Sequence, residues 1–181
     1  MDTKIVFFDL ETTNLKGNLG RVLAGCFLPF EGKEPVCISA LDRKYRGKNL
    51  GDDGKIIAKC REILNESWIW VGWNSKLFDI PYLNARLRLH DMKPVEKRLH
   101  LDLMYYARGQ FIKLNSSRLD AVAKAFKLET QKTDLLYDTW VNAALGETEA
   151  LEYVVEHCQH DVLVLRDAFE VLQPFVRNIH Y

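Results

Sequence analysis

Apolar residues change their spacing along this chain in a way that separates strands from helices. Lys4–Phe8, Arg21–Leu28 and Pro35–Leu41 are short runs rich in Val, Ile, Cys and Phe, and they predict three strands. A polar loop with three glycines follows, from Asp42 to Gly54. Lys55–Leu64 then carries apolar residues at 56, 57, 60, 63 and 64, the spacing of one helix face. Ser67–Trp73 is a compact apolar run of strand type, and Ile80–Leu89 predicts a helix with Pro81 accommodated in its first turn. Leu99–Leu103 predicts a short fifth strand. Ser117 is expected to cap a helix through Lys127, with Leu119, Val122, Ala123 and Phe126 inward. A short helix near Leu135–Leu145 follows. Thr148 is expected to cap a last long helix along the line Leu151, Val154, Val155, Cys158, Val162, Leu165 and Phe169.

Three strands, then helix–strand–helix–strand, then helices predict an α/β protein with a mixed five-stranded sheet. The first three strands meander, the last two run parallel, and helices cover both faces. Ligand sites in such sheets gather at strand ends and the adjoining helix termini. There is no repeat or Pro/Gly-rich linker, and 181 residues suit a single domain over 1–181.

Composition narrows the class only slightly. An apolar fraction of 48% and a charged fraction of 28% are those of an ordinary soluble protein. No apolar run reaches the roughly 20 residues that span a bilayer. The start enters a strand at once, which leaves no room for a signal peptide. A cytoplasmic or nucleoid-associated location is expected. Four cysteines (Cys26, Cys37, Cys60, Cys158) lie far apart with no C-x-x-C pair, so buried free thiols in a reducing compartment are expected. Basic and acidic residues balance at 25 each, so bulk charge does not favour nucleic acid. Locally, however, Tyr105 to Arg118 combines Arg108, Lys113 and Arg118 with three aromatics and no acid.

The chemistry begins at Phe7-Phe8-Asp9-Leu10-Glu11-Thr12-Thr13. In a strand, residues two apart share a face, so Asp9 and Glu11 point the same way. Two close carboxylates repel each other unless a cation lies between them, and hard divalent ions take such oxygen ligands. Alone, the pair reads more simply as the polar turn that follows a strand. Asp79 lies at a helix start after the fourth strand, where a capping role is the simplest reading. His157 and Asp161 are four apart and share a helix face.

Taken together, F-D-L-E-T-T, W-N-S-K-L-F-D-I-P-Y-L and H-C-Q-H-D-V resemble, in order, the three exonuclease motifs of the DEDD superfamily. That resemblance implies a ribonuclease H-like fold and a metal-dependent 3′–5′ exonuclease. It implies release of nucleoside 5′-monophosphates from single-stranded ends, most readily of DNA. Asp9, Glu11, Asp79 and Asp161 correspond to four metal-binding carboxylates. They would hold two Mg²⁺ ions, with Mn²⁺ as a substitute. Two such ions roughly 4 Å apart activate water and stabilise the leaving oxygen. Thr12 and Leu15 correspond to residues touching the terminal nucleotide, and Asn74 and Phe78 to residues lining the same pocket. Leu119-Asp120-Ala121-Val122-Ala123 resembles a helix that these enzymes carry between the second and third motifs.

His157 departs from the pattern. One branch of the superfamily has Tyr four positions before the last aspartate, and the other has His five before it. Here His stands at the tyrosine spacing. With an ordinary pKa near 6.5 it is expected to orient water and accept its proton. Asn14 replaces a common Gly in the turn after Glu11 and is expected to tolerate a left-handed backbone. Asp102 is expected to cap a helix or support the site without binding metal. The alternatives are a binding or adaptor domain without turnover, an exoribonuclease, and a ribonuclease H-like endonuclease. No polymerase segment is fused to the chain, so a separate polymerase or repair partner is expected if there is one.

Overall fold

The structure, a computed structural model, describes residues 4–108, 111–130 and 133–177. Five strands form one sheet: β1 (Ile5–Thr12), β2 (Val22–Pro29), β3 (Val36–Ser39), β4 (Ile69–Gly72) and β5 (Leu99–Asp102). Their order is β3-β2-β1-β4-β5. β1, β2 and β3 pair antiparallel, whereas β4 and β5 run parallel to β1. Parallel neighbours need crossovers. These are supplied by α1 (Gly54–Glu66) before β4 and α2 (Asp79–Leu89) before β5. The chain continues through α3 (Met104–Ala107), α4 (Leu119–Phe126), α5 (Tyr137–Ala144) and α6 (Thr148–Leu172). This is the expected ribonuclease H-like arrangement.

The two-residue period of β1 divides the core. Val6, Phe8 and Leu10 pack with Ile57, Cys60 and Leu64 of α1 and Leu83 and Leu87 of α2. Phe7 faces the other way, with Val122 of α4 and Cys158, Val162 and Leu165 of α6. Asp9 and Glu11 continue the Phe7 face and therefore look toward α6.

Several local expectations are corrected. Arg118, not Ser117, precedes α4, and Glu147, not Thr148, precedes α6. Phe126 is partly exposed, because α4 ends there and Lys127 turns left-handed at φ 53°. Asn14 is not left-handed. Its Oδ1 instead accepts from the backbone N–H of Lys16 at 2.9 Å. Cys26 and Cys37 are not free thiols: they form a disulfide, because the β2–β3 register sets them directly opposite each other. Cys60 and Cys158 are free and buried. The four free thiols expected of a reducing compartment are therefore reduced to two. Among the described residues no helix is long and apolar enough to cross a membrane.

Candidate functional site

The site opens where the sheet loses a strand. β1 pairs with β4 only as far as Phe7 opposite Val71, but with β2 as far as Thr12 opposite Val22. Among the described residues the β4 side of β1 has no strand partner beyond Phe7, and Asp9 and Glu11 lie along that stretch. The backbone N–H of Leu10 donates instead to Asp79 Oδ1 at 3.1 Å.

Asp79 is the first residue of α2 and is buried. It therefore sits just inside the helix rather than capping it. The loop before it is tightly built. Asn74 is left-handed at φ 61°, a conformation Asn tolerates. Its carbonyl accepts from the N–H groups of Leu77 (3.1 Å) and Phe78 (3.0 Å). The Asp102 carboxylate, at the end of β5, accepts from Asn74 N–H (2.9 Å), Lys76 N–H (3.0 Å) and Met104 N–H (3.2 Å). Asp102 thus supports the loop that delivers Asp79. Ser75 is buried and its Oγ lies 2.8 Å from His100 Nε2.

Burial, and after it the Asp9 charge, hold the Asp79 carboxyl well above the usual range. A dry site that brings acids together in this way favours either a proton or a bound cation. From α6, His157 Nε2 lies 3.8 Å from Glu11 Oε1 and 3.7 Å from Asp161 Oδ2. Glu11, His157 and Asp161 each offer a ligand atom within 4.8 Å of the others. Between them on the helix, Cys158 Sγ lies 3.5 Å from the Asp9 carbonyl oxygen and 3.6 Å from Asp9 Oδ2. Burial, and then the Asp9 charge, push its pKa up, so it stays a thiol. His157 Nδ1 is 2.6 Å from Thr133 Oγ1.

Two clefts meet this cluster. One, of ≈ 680 Å³, is lined by Asp9, Asn74, Arg118, His157 and Asp161. The other, of ≈ 730 Å³, is lined by Glu11, Thr12, Leu15, Phe78, Tyr137 and Trp140. Asn74 lines the first of these clefts and Phe78 the second. Leu15 is 79% exposed and is no core residue. Phe78 is half-buried against the Tyr82 ring, with centroids 5.6 Å apart. Thr12 is buried, its hydroxyl donating to the Asn14 carbonyl at 3.0 Å.

Thr133 and Trp140 escaped the sequence reading. Thr133 stands 24 residues before the histidine it contacts, in a polar stretch without periodicity. Trp140 looked like one more apolar position of a short helix, yet its indole N–H donates to the Thr12 carbonyl at 2.9 Å. A third omission is Asp53, which is buried. Its carboxylate accepts from Val22 N–H (2.7 Å) and from the Arg86 Nε (3.0 Å) and Nη2 (2.7 Å). Arg86 Nη1 also donates to the Gly17 carbonyl at 3.1 Å, in the loop that carries Leu15.

A mixed sheet opened beside its first strand and lined there with carboxylates is the frame of the ribonuclease H fold. The chain belongs to the RNase H superfamily, whose model matches residues 6–173. Among solved structures it is similar to the family B DNA polymerase from the hyperthermophilic archaeon Pyrobaculum calidifontis, with a TM-score of 0.70 and 21% identity. The match covers 97% of this chain and 25% of that one, and at this identity the likeness is one of fold. The chain thus spans about a quarter of the polymerase's length. No curated protein sequence matches it. Nucleases of this superfamily use divalent metals, and the oxygen-rich donor set here fits a hard divalent ion.

Proposed function

We propose that the protein is a 3′–5′ exonuclease of the DEDD type, releasing nucleoside 5′-monophosphates from single-stranded ends. The observation that carries this reading is the convergence of Glu11, His157 and Asp161 within 4.8 Å, beside an Asp79 whose ionisation is opposed by burial and Asp9. Asp9, Glu11, Asp79 and Asp161 would hold two Mg²⁺ ions, or Mn²⁺ in their place. Bound there, divalent ions supply positive charge to the phosphate and lower the pKa of water. The chain's own groups do the rest. With its proton on Nδ1, His157 donates to Thr133 Oγ1 and leaves the Nε2 lone pair facing the acids. From there it orients a water and accepts its proton.

The fold shared with a DNA polymerase supports DNA as the substrate, with RNA as the alternative. A polymerase or repair protein is the expected partner. A binding-only adaptor drew its support from the irregular third motif. The place of His157 inside the acid cluster speaks against it. The test uses a 5′-labelled single-stranded oligonucleotide, as DNA and as RNA, with Mg²⁺ or Mn²⁺ and an Asp9→Ala control. Stepwise shortening from the 3′ end, absent in the control, is expected. No shortening with either metal refutes the assignment, and cuts in a circular substrate would point to an endonuclease.

A further inference from the structure

The cleft that holds Glu11 has a wall that no sequence motif accounts for. Tyr137 opens α5 and is 75% exposed. It stacks on Trp140, with ring centroids 6.1 Å apart and planes inclined by 27°. Trp140 is in turn tied to the Thr12 carbonyl, one residue beyond Glu11. The two rings line the same cleft as Leu15 and Phe78. The exposed Tyr137 ring thus rests on an indole that is hydrogen-bonded to the backbone of β1, one residue beyond Glu11.

We propose that Tyr137, positioned by Trp140, is the stacking platform for the unpaired 3′-terminal nucleobase of the substrate. The inference rests on the exonuclease reading and names how that substrate is gripped. The occupant follows from what surrounds the platform. One end of the cleft is Glu11, where a scissile phosphate must come, and Lys16 adds a cation to its lining. The remaining lining sets apolar and aromatic side chains beside the polar Thr12, Thr13 and Asn14. A π-face suits every base alike, so the platform grips the terminal nucleotide without reading its identity. It also requires the base to be unpaired, because only a base freed from its partner strand can swing out of the helix into a cleft beside Glu11. The Trp140–Thr12 bond has a further result: α5 cannot move away from β1 without giving up an indole partner. Trp140 is thus a positioning residue and Tyr137 the contacting one.

The test uses the full chain and a single-stranded oligonucleotide ending in 2-aminopurine at its 3′ terminus, in EDTA so that binding is read without turnover. Stacking changes the emission of that base. The wild type is expected to bind with a stacked signal. Tyr137→Ala should lose the signal and bind about 5- to 150-fold more weakly, the range of one base–aromatic stack. Tyr137→Phe should retain both, which separates loss of the ring from loss of the hydroxyl. Replacing the terminal nucleotide by an abasic one should weaken the wild type and leave Tyr137→Ala unaffected. If the wild type shortens DNA while Tyr137→Ala binds and stacks like it, the platform is refuted and the exonuclease reading stands. If the wild type stacks the base but never shortens DNA, the exonuclease reading falls and the platform stands. Absence of both binding and shortening overturns the two together.

Discussion

His100 provides a quantitative check on the loop that delivers Asp79. Its imidazole is buried among Phe8, Trp70 and the Ser75 hydroxyl, with ring centroids 6.0 Å and 5.5 Å from those two aromatics. Burial, and then the nearby Lys76 charge, lower its pKa to about 4 from the ordinary 6.5. The folded protein keeps the ring neutral, whereas the unfolded chain takes up a proton as soon as pH falls below 6.5. Stability from this residue is therefore complete above pH 6.5 and lost as pH falls toward 4. Proton linkage gives a loss of about 2 kcal/mol between pH 7.5 and pH 5, and about 3 kcal/mol in the limit below pH 4. The measurement is urea denaturation at pH 7.5, 6 and 5 for the wild type and for His100→Gln, whose amide bonds to Ser75 without titrating. Carboxylates such as Asp79 titrate in both proteins, so their contribution cancels in the comparison. The wild type should lose about 2 kcal/mol more than the variant between pH 7.5 and 5. Parallel losses in the two proteins would refute the reasoning.

Three further outcomes are expected. Asp79→Asn keeps an acceptor for the Leu10 N–H but cannot ionise; the wild-type carboxylate weighs against folding as pH rises through its raised pKa. The variant should melt at a higher temperature than the wild type at pH 8 in EDTA and yet hydrolyse nothing; a lower melting temperature would contradict the repulsion. Arg86→Met strands the buried Asp53 carboxylate, leaving it Val22 N–H and His90, and should cost about 3–5 kcal/mol in urea denaturation. Thr133→Val removes the partner of His157 Nδ1 and should slow hydrolysis roughly 10- to 100-fold with oligonucleotide affinity unchanged.

The succession of strands and helices and the mixed character of the sheet were legible because they rest on short-range rules, whereas the four carboxylates were singled out by their resemblance to the DEDD motifs. The two-residue period that sends Phe7 toward α6 also sends Asp9 and Glu11 there, and the four-residue spacing of His157 and Asp161 brings both to the same opening. What was illegible depends on contacts between segments far apart in sequence. The Cys26–Cys37 bond follows from the β2–β3 register, which composition and spacing do not reveal. Trp140 and Thr133 act through single hydrogen bonds, to Thr12 128 residues away and to His157 24 residues away. The caps misplaced at Ser117 and Thr148 show another limit. Each lies one residue from the observed helix boundary, where the backbone of Arg118 and of Glu147 turns extended.

The early end of β4 has a consequence for how this site tolerates change. Where a sixth-register carbonyl would ordinarily receive the Leu10 N–H, a side-chain oxygen of Asp79 does so. One carboxylate oxygen completes the scaffold and leaves the other for chemistry. Replacing Asp79 by a residue with no acceptor therefore orphans a buried backbone donor as well as removing a proposed metal ligand. Conversely, an insertion that prolonged β4 along β1 would satisfy that donor with backbone and leave the acid nowhere to enter. The reactive opening survives only while the sheet stays unfinished at this edge, so drift in the length of a four-residue strand threatens it as directly as loss of an aspartate.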